Sequence, residues 1–339
     1  MKILVTGGTG NVGRAAVTRL VKHGHEVRVI GRRAGIVIEG ADYRTCDITD
    51  YDGLCQQMEG MEAVVHLAAI PHPALAPGQE IFRINCAGAF NVYQAAASKG
   101  IKRVVSASSI NALGYNFGIK EFPILYFPMD EEHPVYTTDA YSFSKQIVEE
   151  IAAYFRRREG ISGVCLRLPW VYEATEDVQP RMRGFISHLR SAWEGLLALP
   201  DAERQGRVRQ IIVRFQAMRA ERASEKPFSR QRWDAPDALH IMGRSNFWAT
   251  IDARDSAQAI EKALLADYDG SHPLFVNDSR NMLGAPSQLL VNTFFPEVKT
   301  WKRPVQKDES LVSIDKARKL IGFEPEYSIN QWFETTSGG

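Results

Sequence analysis

The glycine-rich turn at residues 7–13 sets the narrowest limit on what this chain can fold into. Lys2-Ile3-Leu4-Val5-Thr6 runs directly into Gly7-Gly8-Thr9-Gly10-Asn11-Val12-Gly13, and an Ala/Val/Leu pattern of helical period follows over 14–23. Gly8-x-Gly10-x-x-Gly13, overlaid by Gly7-x-x-Gly10-x-x-Gly13, has the spacing of a dinucleotide fingerprint, and it stands between a strand and a helix as that motif requires. A tight turn without Cβ atoms lets the backbone approach a pyrophosphate, and the helix that follows points unpaired N–H groups at the negative charge. The expected cofactor contacts here are Gly7, Gly10, Asn11, Val12 and Gly13.

The rest of the chain supports this reading by its rhythm. Short β-branched runs, Val27-Arg28-Val29-Ile30, Ala63-Val64-Val65, Arg103-Val104-Val105 and Val164-Cys165-Leu166, alternate with helical stretches at 87–99 and 141–158. Such alternation predicts an α/β fold, a doubly wound parallel sheet of the Rossmann type covered by helices on both faces. After Pro169 the rhythm breaks. Phe185, Ile186, Leu189, Trp193, Leu196 and Leu197 recur at helical spacing, as do Val208, Ile211, Ile212, Phe215 and Met218. A strand at 247–251, a helix at 256–265, a strand at 274–276 and a last helix at 313–321 complete the expectation. The predicted division is a dinucleotide-binding domain at 1–170 with a return segment at about 247–268. A smaller, mostly helical substrate domain would occupy 171–246 and 269–339.

Charge and cysteine usage exclude several partners. Lys plus Arg total 41 against 40 for Asp plus Glu, so no net field favours nucleic acid or an acidic membrane. The exception is local: 181–232 holds eleven Arg and one Lys against five acidic residues, a net of +7. It reads as two helices with solvated basic faces, or as a lid that attracts an anionic substrate. Cys46, Cys55, Cys86 and Cys165 show no metal-binding or disulfide spacing, so no metal is expected. With no signal-peptide core and no run long enough to span a bilayer, a cytoplasmic protein is expected. At the end of the second predicted strand stand Gly31-Arg32-Arg33, where an acidic residue would hold a ribose 2′-hydroxyl. Arginines suit a 2′-phosphate instead, so NADP is favoured over NAD, with Arg32 and Arg33 in that role.

Further segments fall in a recognisable order: Cys46-Asp47-Ile48, His66-Leu67-Ala68-Ala69, Asn85-x-x-Gly88-x-x-Asn91, Ser108-Ser109, Tyr141-Ser142-Phe143-Ser144-Lys145, Leu166-Arg167-Leu168-Pro169 and Asp252-Ala253-Arg254-Asp255. With the opening turn, this order resembles the extended short-chain dehydrogenases/reductases, also called NAD-dependent epimerase/dehydratases, through nearly the whole chain. The resemblance implies that Asp47 contacts adenine, that Leu67, Ala68 and Ala69 lie under the cofactor, and that Ile48, Asn85 and Pro169 belong to the same site. It also implies a catalytic group of Ser109, Tyr141 and Lys145, with Lys145 holding the nicotinamide ribose as well. Tyr141 and Lys145 are four apart on a predicted helix, hence on one face. The neighbouring ammonium and the oxidised nicotinamide ring are both expected to favour the ionised phenol. Tyr141 would exchange the substrate's hydroxyl proton while Ser109 hydrogen-bonds its oxygen. The resemblance also implies Ser109 over Ser108, since it stands five residues before Gly114, the spacing of the family.

Three reactions share this machinery. Dehydratases place Asp-Glu after the catalytic hydroxyl residue, where this chain has Ile110-Asn111, which cannot exchange a proton for elimination. Sugar-nucleotide epimerases usually continue into Tyr-Gly, where this chain has Tyr172-Glu173. Ser108-Ser109-Ile110-Asn111 is nearer the corresponding segment of uronate dehydrogenases and related sugar-acid oxidoreductases. The reading is therefore an NAD(P)-dependent oxidoreductase acting on a sugar-like or sugar-acid hydroxyl or carbonyl, with Ser108, Asn111 and Tyr172 as candidate substrate contacts. The alternatives are an NAD-dependent epimerase and, from another class, a non-catalytic NADP-binding regulator, against which the presence of both Tyr141 and Lys145 counts. In the loop at 115–136, Phe117, Phe122, Tyr126 and Phe127 are read as packing or as an apolar wall over the nicotinamide. The family resemblance further implies a homodimer through helices 87–99 and 141–158, with Ile147, Val148 and Ile151 supplying apolar surface.

Overall fold

The computed structural model describes residues 1–222, 225 and 236–334. In chain order the strands are β1 (Lys2–Thr6), β2 (Glu26–Gly31), β3 (Ala41–Thr45), β4 (Ala63–His66), β5 (Arg103–Ala107), β6 (Ser162–Arg167), β7 (Trp170–Tyr172), β8 (Thr250–Asp252) and β9 (Ser271–Phe275). Seven of them form one sheet in the order β3-β2-β1-β4-β5-β6-β9, and every pairing in it is parallel. The order reverses between β1 and β4, so a crevice opens at the carboxyl ends of these two strands, where doubly wound sheets bind ligands. β7 and β8 pair with each other apart from the main sheet.

The helices that position the site are α1 (Asn11–Lys22), α2 (Tyr51–Gln57), α3 (Gly78–Phe82), α4 (Gly88–Ser98), α5 (Ala140–Glu159), α6 (Gln179–Leu197), α7 (Asp201–Ala220), α8 (Pro236–Ser245) and α9 (Ala253–Leu265). Alternate strand residues feed two separate cores. Ile3, Val5, Val29 and Val65 join the layer that includes α1 and α9, while Leu4, Ile30, Val64 and Val104 join the layer that includes α4 and α5. Each such aliphatic side chain, fully buried, stabilises the fold by about 1.5–3 kcal/mol. A third core, centred on Trp193, Phe247, Trp248, Phe294 and Phe295, fills the mostly helical C-terminal region. No helix among the described residues is long and apolar enough to cross a membrane.

The two helices expected after Pro169 are α6 and α7, and they bury Ile186, Leu189, Trp193, Val208, Ile211 and Phe215 as their period requires. Much of their positive charge is engaged within the chain: Arg207 and Arg214 reach Asp237, and Arg204 reaches Asp201. The remainder of the basic segment, at 223, 224 and 226–232, lies outside the described residues. The strand expected at 247–251 is reduced to β8, because Phe247 and Trp248 take left-handed conformations with φ of 54° and 51°. Both aromatic side chains are fully buried, and that burial offsets the strain of a conformation L-residues rarely adopt. β3 carries no apolar alternation, since as an edge strand it has no fully buried residue.

One buried ion pair holds α5 to β6. Arg167 donates to both carboxylate oxygens of Glu149 at 2.9 Å, and Ser108 donates to the same carboxylate at 2.6 Å. Arg167→Met strands a carboxylate in the interior, and we expect it to lower the unfolding free energy by about 3–5 kcal/mol in urea titrations. A loss below about 1 kcal/mol would mean that the pair carries no such weight.

Candidate functional site

The end of β1 is pinned to the end of β4 by one hydroxyl. Thr6 Oγ1 accepts the amides of Leu67 and Ala68, each at 3.1 Å, which leaves its proton for His66 Nδ1, 2.8 Å away. Burial, then the nearby Lys145 cation, push the His66 pKa down to about 3, so the imidazole is neutral. Directly after Thr6, Gly7 turns with φ of 72°, and a Cβ there would lie 2.6 Å from the Ala68 amide nitrogen. A Cβ on Gly13 would lie 2.6 Å from the Cα of Gly8, so α1 seats on the turn only because both are glycines. Gly10 caps α1 without a side chain, and no acidic residue occupies the first turn. Asn11 is exposed and Val12 half-buried. The residues present thus fit a pyrophosphate: a glycine cradle, unclaimed helix amides and no competing carboxylate in the first turn.

The loop after β4 is fastened from below. Asn85 lies in a π-helical turn, Arg83–Ala87; its Oδ1 accepts the Ile70 amide at 2.7 Å, and its Nδ2 donates to the Ile70 carbonyl at 3.1 Å and to Ser144 Oγ at 2.9 Å. Ser144 in turn donates to the Tyr141 carbonyl at 2.7 Å. Asn85, predicted as a cofactor contact, is therefore buried with its amide engaged by protein, and it links the Leu67-Ala68-Ala69 loop to α5.

Tyr141 and Lys145 occupy the first turns of α5, which starts from an Asp139 side chain accepting the Ser142 amide at 2.8 Å. Ser109 starts a short 3₁₀ turn, Ile110–Leu113, and accepts the Asn111 amide at 3.1 Å and its Nδ2 at 3.3 Å. The Ile110 amide donates to the Leu168 carbonyl at 2.9 Å, which brings this turn beside Pro169. Ser109 lies close enough to the Tyr141 hydroxyl to pull its pKa downward. Lys145 Nζ stands 6.0 Å from the centre of the Tyr141 ring and donates to the Ala107 carbonyl at 2.9 Å.

In the free chain the phenol is neutral. Burial pushes the Tyr141 pKa up to about 12, against the downward pull of Ser109, and burial also pulls Lys145 down to about 8. Burial works against both charges, yet at neutral pH the phenol is neutral while an amine of pKa about 8 remains mostly protonated.

Other expected residues are placed as follows. Asp47 accepts the amide and hydroxyl of Thr49, both at 2.9 Å, while the Ile48 side chain is buried in the core beside Gly88. Ser108 is buried and engaged by Glu149. Asn111 Oδ1 is buried without a hydrogen-bond partner, which leaves an acceptor beside Ser109. Tyr172 is buried near Asp252, Asp278 and Asp255 and meets the Trp332 ring edge-on at 5.3 Å. Of the loop aromatics, Phe122 and Phe127 are core residues, whereas Phe117 lies edge-on to Tyr141 at 5.8 Å and to His72 at 4.8 Å. Sequence reasoning missed Arg219, a buried residue of α7 that donates to the Tyr115 and Asn116 carbonyls; no spacing signal marked it. Ile147, Val148 and Ile151, expected as dimer surface, face the core instead.

The model of the NAD dependent epimerase/dehydratase family matches residues 3–199. An L-arabinose 1-dehydrogenase (NAD(P)(+)) of Haloferax volcanii is 33% identical over 200 residues, 57% of this chain and 76% of that protein. A uronate dehydrogenase of Pseudomonas syringae pv. tomato is 29% identical over 169 residues, 49% of this chain and 58% of its own length. The match thus spans little more than half of the second relative. A short-chain dehydrogenase/reductase superfamily protein of Agrobacterium tumefaciens with bound NAD shares the fold, with a TM-score of 0.62 at 21% identity, over 99% of this chain and 95% of that one.

The expected preference for NADP over NAD is corrected by these structures. The Agrobacterium protein holds NAD. So do two structures of MoeE5, with TM-scores of 0.59 and 0.60 at 18% identity, each over 99% of this chain and 100% and 97% of those chains. The physical reason lies at the end of β2. Arg32 and Arg33 are exposed, and the Tyr43 hydroxyl, which donates to the Arg33 carbonyl at 2.7 Å, crowds the space beside Gly31.

A lysine with its pKa near 8 when folded, and an ordinary one unfolded, binds fewer protons in the folded state between those two values. Stability therefore rises with pH across that window, as the cost of a buried cation fades. Lys145→Met removes the cation, so we expect its stability advantage over the wild type to be largest below about pH 8 and to shrink toward about pH 10.4. Urea unfolding across this range checks it; an advantage that does not change with pH contradicts the assigned environment.

Proposed function

The chain belongs to the NAD-dependent epimerase/dehydratase family of extended short-chain dehydrogenases/reductases, and from that premise we propose that it is an NAD-dependent oxidoreductase of sugars or sugar acids. The observation that carries this reading is the convergence of buried Tyr141 and Ser109, with Lys145 one turn further along α5. Bound NAD supplies the hydride acceptor. Tyr141 takes the proton of the substrate hydroxyl in oxidation and returns it to the carbonyl oxygen in reduction. Ser109 holds the substrate oxygen beside that proton, and the free Asn111 carbonyl oxygen accepts from a neighbouring hydroxyl. Lys145 fixes the ribose and the ring orientation, and Phe117 helps to exclude water.

In this reading Gly7, Gly10, Asn11, Val12 and Gly13 hold the pyrophosphate. Asp47, Leu67, Ala68, Ala69 and Pro169 line the remaining length of the cofactor. Residues 1–170 with the return at 247–268 form the cofactor unit, and the substrate unit comprises 171–246 and 269–339. Similarity to arabinose and uronate dehydrogenases supports a sugar or a sugar acid as substrate, the latter anionic.

Incubating the protein with NAD and a panel of aldoses, uronic acids and UDP-sugars separates the readings. Net NADH formation is expected; isomer formation without net reduction would instead identify an epimerase, and binding without turnover a regulator. Tyr141→Phe is expected to lower kcat by about 10²–10⁴ while NAD still binds, as measured by NADH fluorescence titration. Retained turnover removes Tyr141 from its role.

The dimer surface in this reading is an aromatic band across α3, α4 and α5. Phe82 stacks on Phe143 at 5.9 Å and Phe90 on Tyr154 at 6.2 Å, and all four are 37–42% exposed. Exposed aromatic rings in register on adjacent helices are what a self-complementary helical interface requires. Phe90→Asp with Tyr154→Asp is expected to convert a dimer to a monomer in sedimentation equilibrium. A wild type that is monomeric at micromolar concentration contradicts the assignment.

A further inference from the structure

Glu173 marks a departure from the epimerase pattern, since it follows Tyr172 where those enzymes usually have glycine. Its side chain is only 19% exposed, and its Oε1 accepts from Arg14 at 2.7 Å. Arg14 lies in the first turn of α1, yet its guanidinium turns back onto the glycine-rich turn. It donates to the Thr9 carbonyl at 2.9 Å and to Asn11 Oδ1 at 3.1 Å. One guanidinium therefore grips both sides of Gly10, and Glu173 anchors it from the segment after β7.

We infer that Arg14 and Glu173 form a clasp that holds the glycine-rich turn in its anion-binding shape and slows the release of bound dinucleotide. This rests on the dinucleotide reading above. The turn needs such a tie because α1 has no side-chain cap, and neither Gly8 nor Gly10 restrains its own backbone through a side chain. A turn already fixed loses less conformational freedom when the pyrophosphate arrives. Glu173 also neutralises Arg14, so the anion is held by the turn amides and not drawn onto a guanidinium outside the cradle. Both residues act through the turn and are positioning residues.

The test uses the full chain and NADH, released by a chase of excess NAD and followed by fluorescence. Glu173→Gln and Arg14→Gln are each expected to release NADH about two- to fivefold faster, the range for a surface ion pair. The double variant should be no faster than either single one. Glu173→Gln should also raise KM for NAD by a similar factor while kcat at saturating NAD and the Tm stay as in the wild type, which a general loss of stability would not produce. Unchanged release overturns the clasp. Slower release overturns it as well, since Glu173 would then be competing with the pyrophosphate for Arg14. A wild type that binds no NADH at all refutes the dinucleotide reading itself, and the clasp with it.

Discussion

The contact on which the rest of this structure depends is the approach of Gly7 to Ala68, where the ends of β1 and β4 come together. The neighbouring Thr6 hydroxyl accepts both amides of the β4 loop and meets a neutral His66, so the two strand ends are locked in one geometry. Only a residue without Cβ fits between that locked loop and the turn. Everything at the crevice inherits this constraint: the direction of α1, the availability of its first amides, and the height of the β4 loop above the sheet. Through Asn85 and Ser144 the same loop is tied to α5, so the phosphate end and the Tyr141 end of the site are parts of one hydrogen-bonded frame.

Burial at the crevice sets the chemistry. Tyr141, Lys145, Ser109 and His66 are all nearly inaccessible, so burial works against the charged forms of Tyr141, Lys145 and His66, leaving the phenol and the imidazole neutral while the amine keeps its proton below about pH 8. A neutral phenol beside a serine can give a proton at once, but must lose one before it can take another. The lysine beside it, with its pKa pulled toward the working range, is easily switched by any charge that enters the site. A dinucleotide with a positive ring in that space would stabilise the phenolate and thereby couple cofactor state to the direction of proton transfer.

Much of this was legible in the sequence, and the reason is periodicity. Gly7, Gly10 and Gly13 announce the turn because three absent side chains, at fixed spacing between a strand and a helix, suit a close backbone approach and little else. Tyr141 and Lys145 announce a shared helix face because four residues make about one turn. What was hidden depends on contacts between distant segments. The link of Glu173 to Arg14 spans residues that no local pattern joins, and Asn85 reads as a ligand contact until the π-helical turn Arg83–Ala87 places it beneath the loop. Ile147, Val148 and Ile151 were chosen as dimer surface for being apolar, yet apolar residues on a two-sided helix belong first to the core. The outward face is instead given by Phe143 and Tyr154, eleven residues and three helical turns apart on α5. Arg32 and Arg33 misled for a related reason: a charge beside a strand end has meaning only if a wall holds it there, and these two are exposed.

The central claim is that the glycine cradle and the Tyr141–Ser109–Lys145 group serve one ligand. A crystal structure of the chain with NAD tests it most directly. The expected result has the pyrophosphate on the amides of the turn at Gly10–Gly13, the nicotinamide ribose within hydrogen-bond reach of Lys145, and the ring facing the Tyr141 hydroxyl. A complex in which the ring points away from Tyr141, or in which the pyrophosphate lies off the α1 amides, would contradict it.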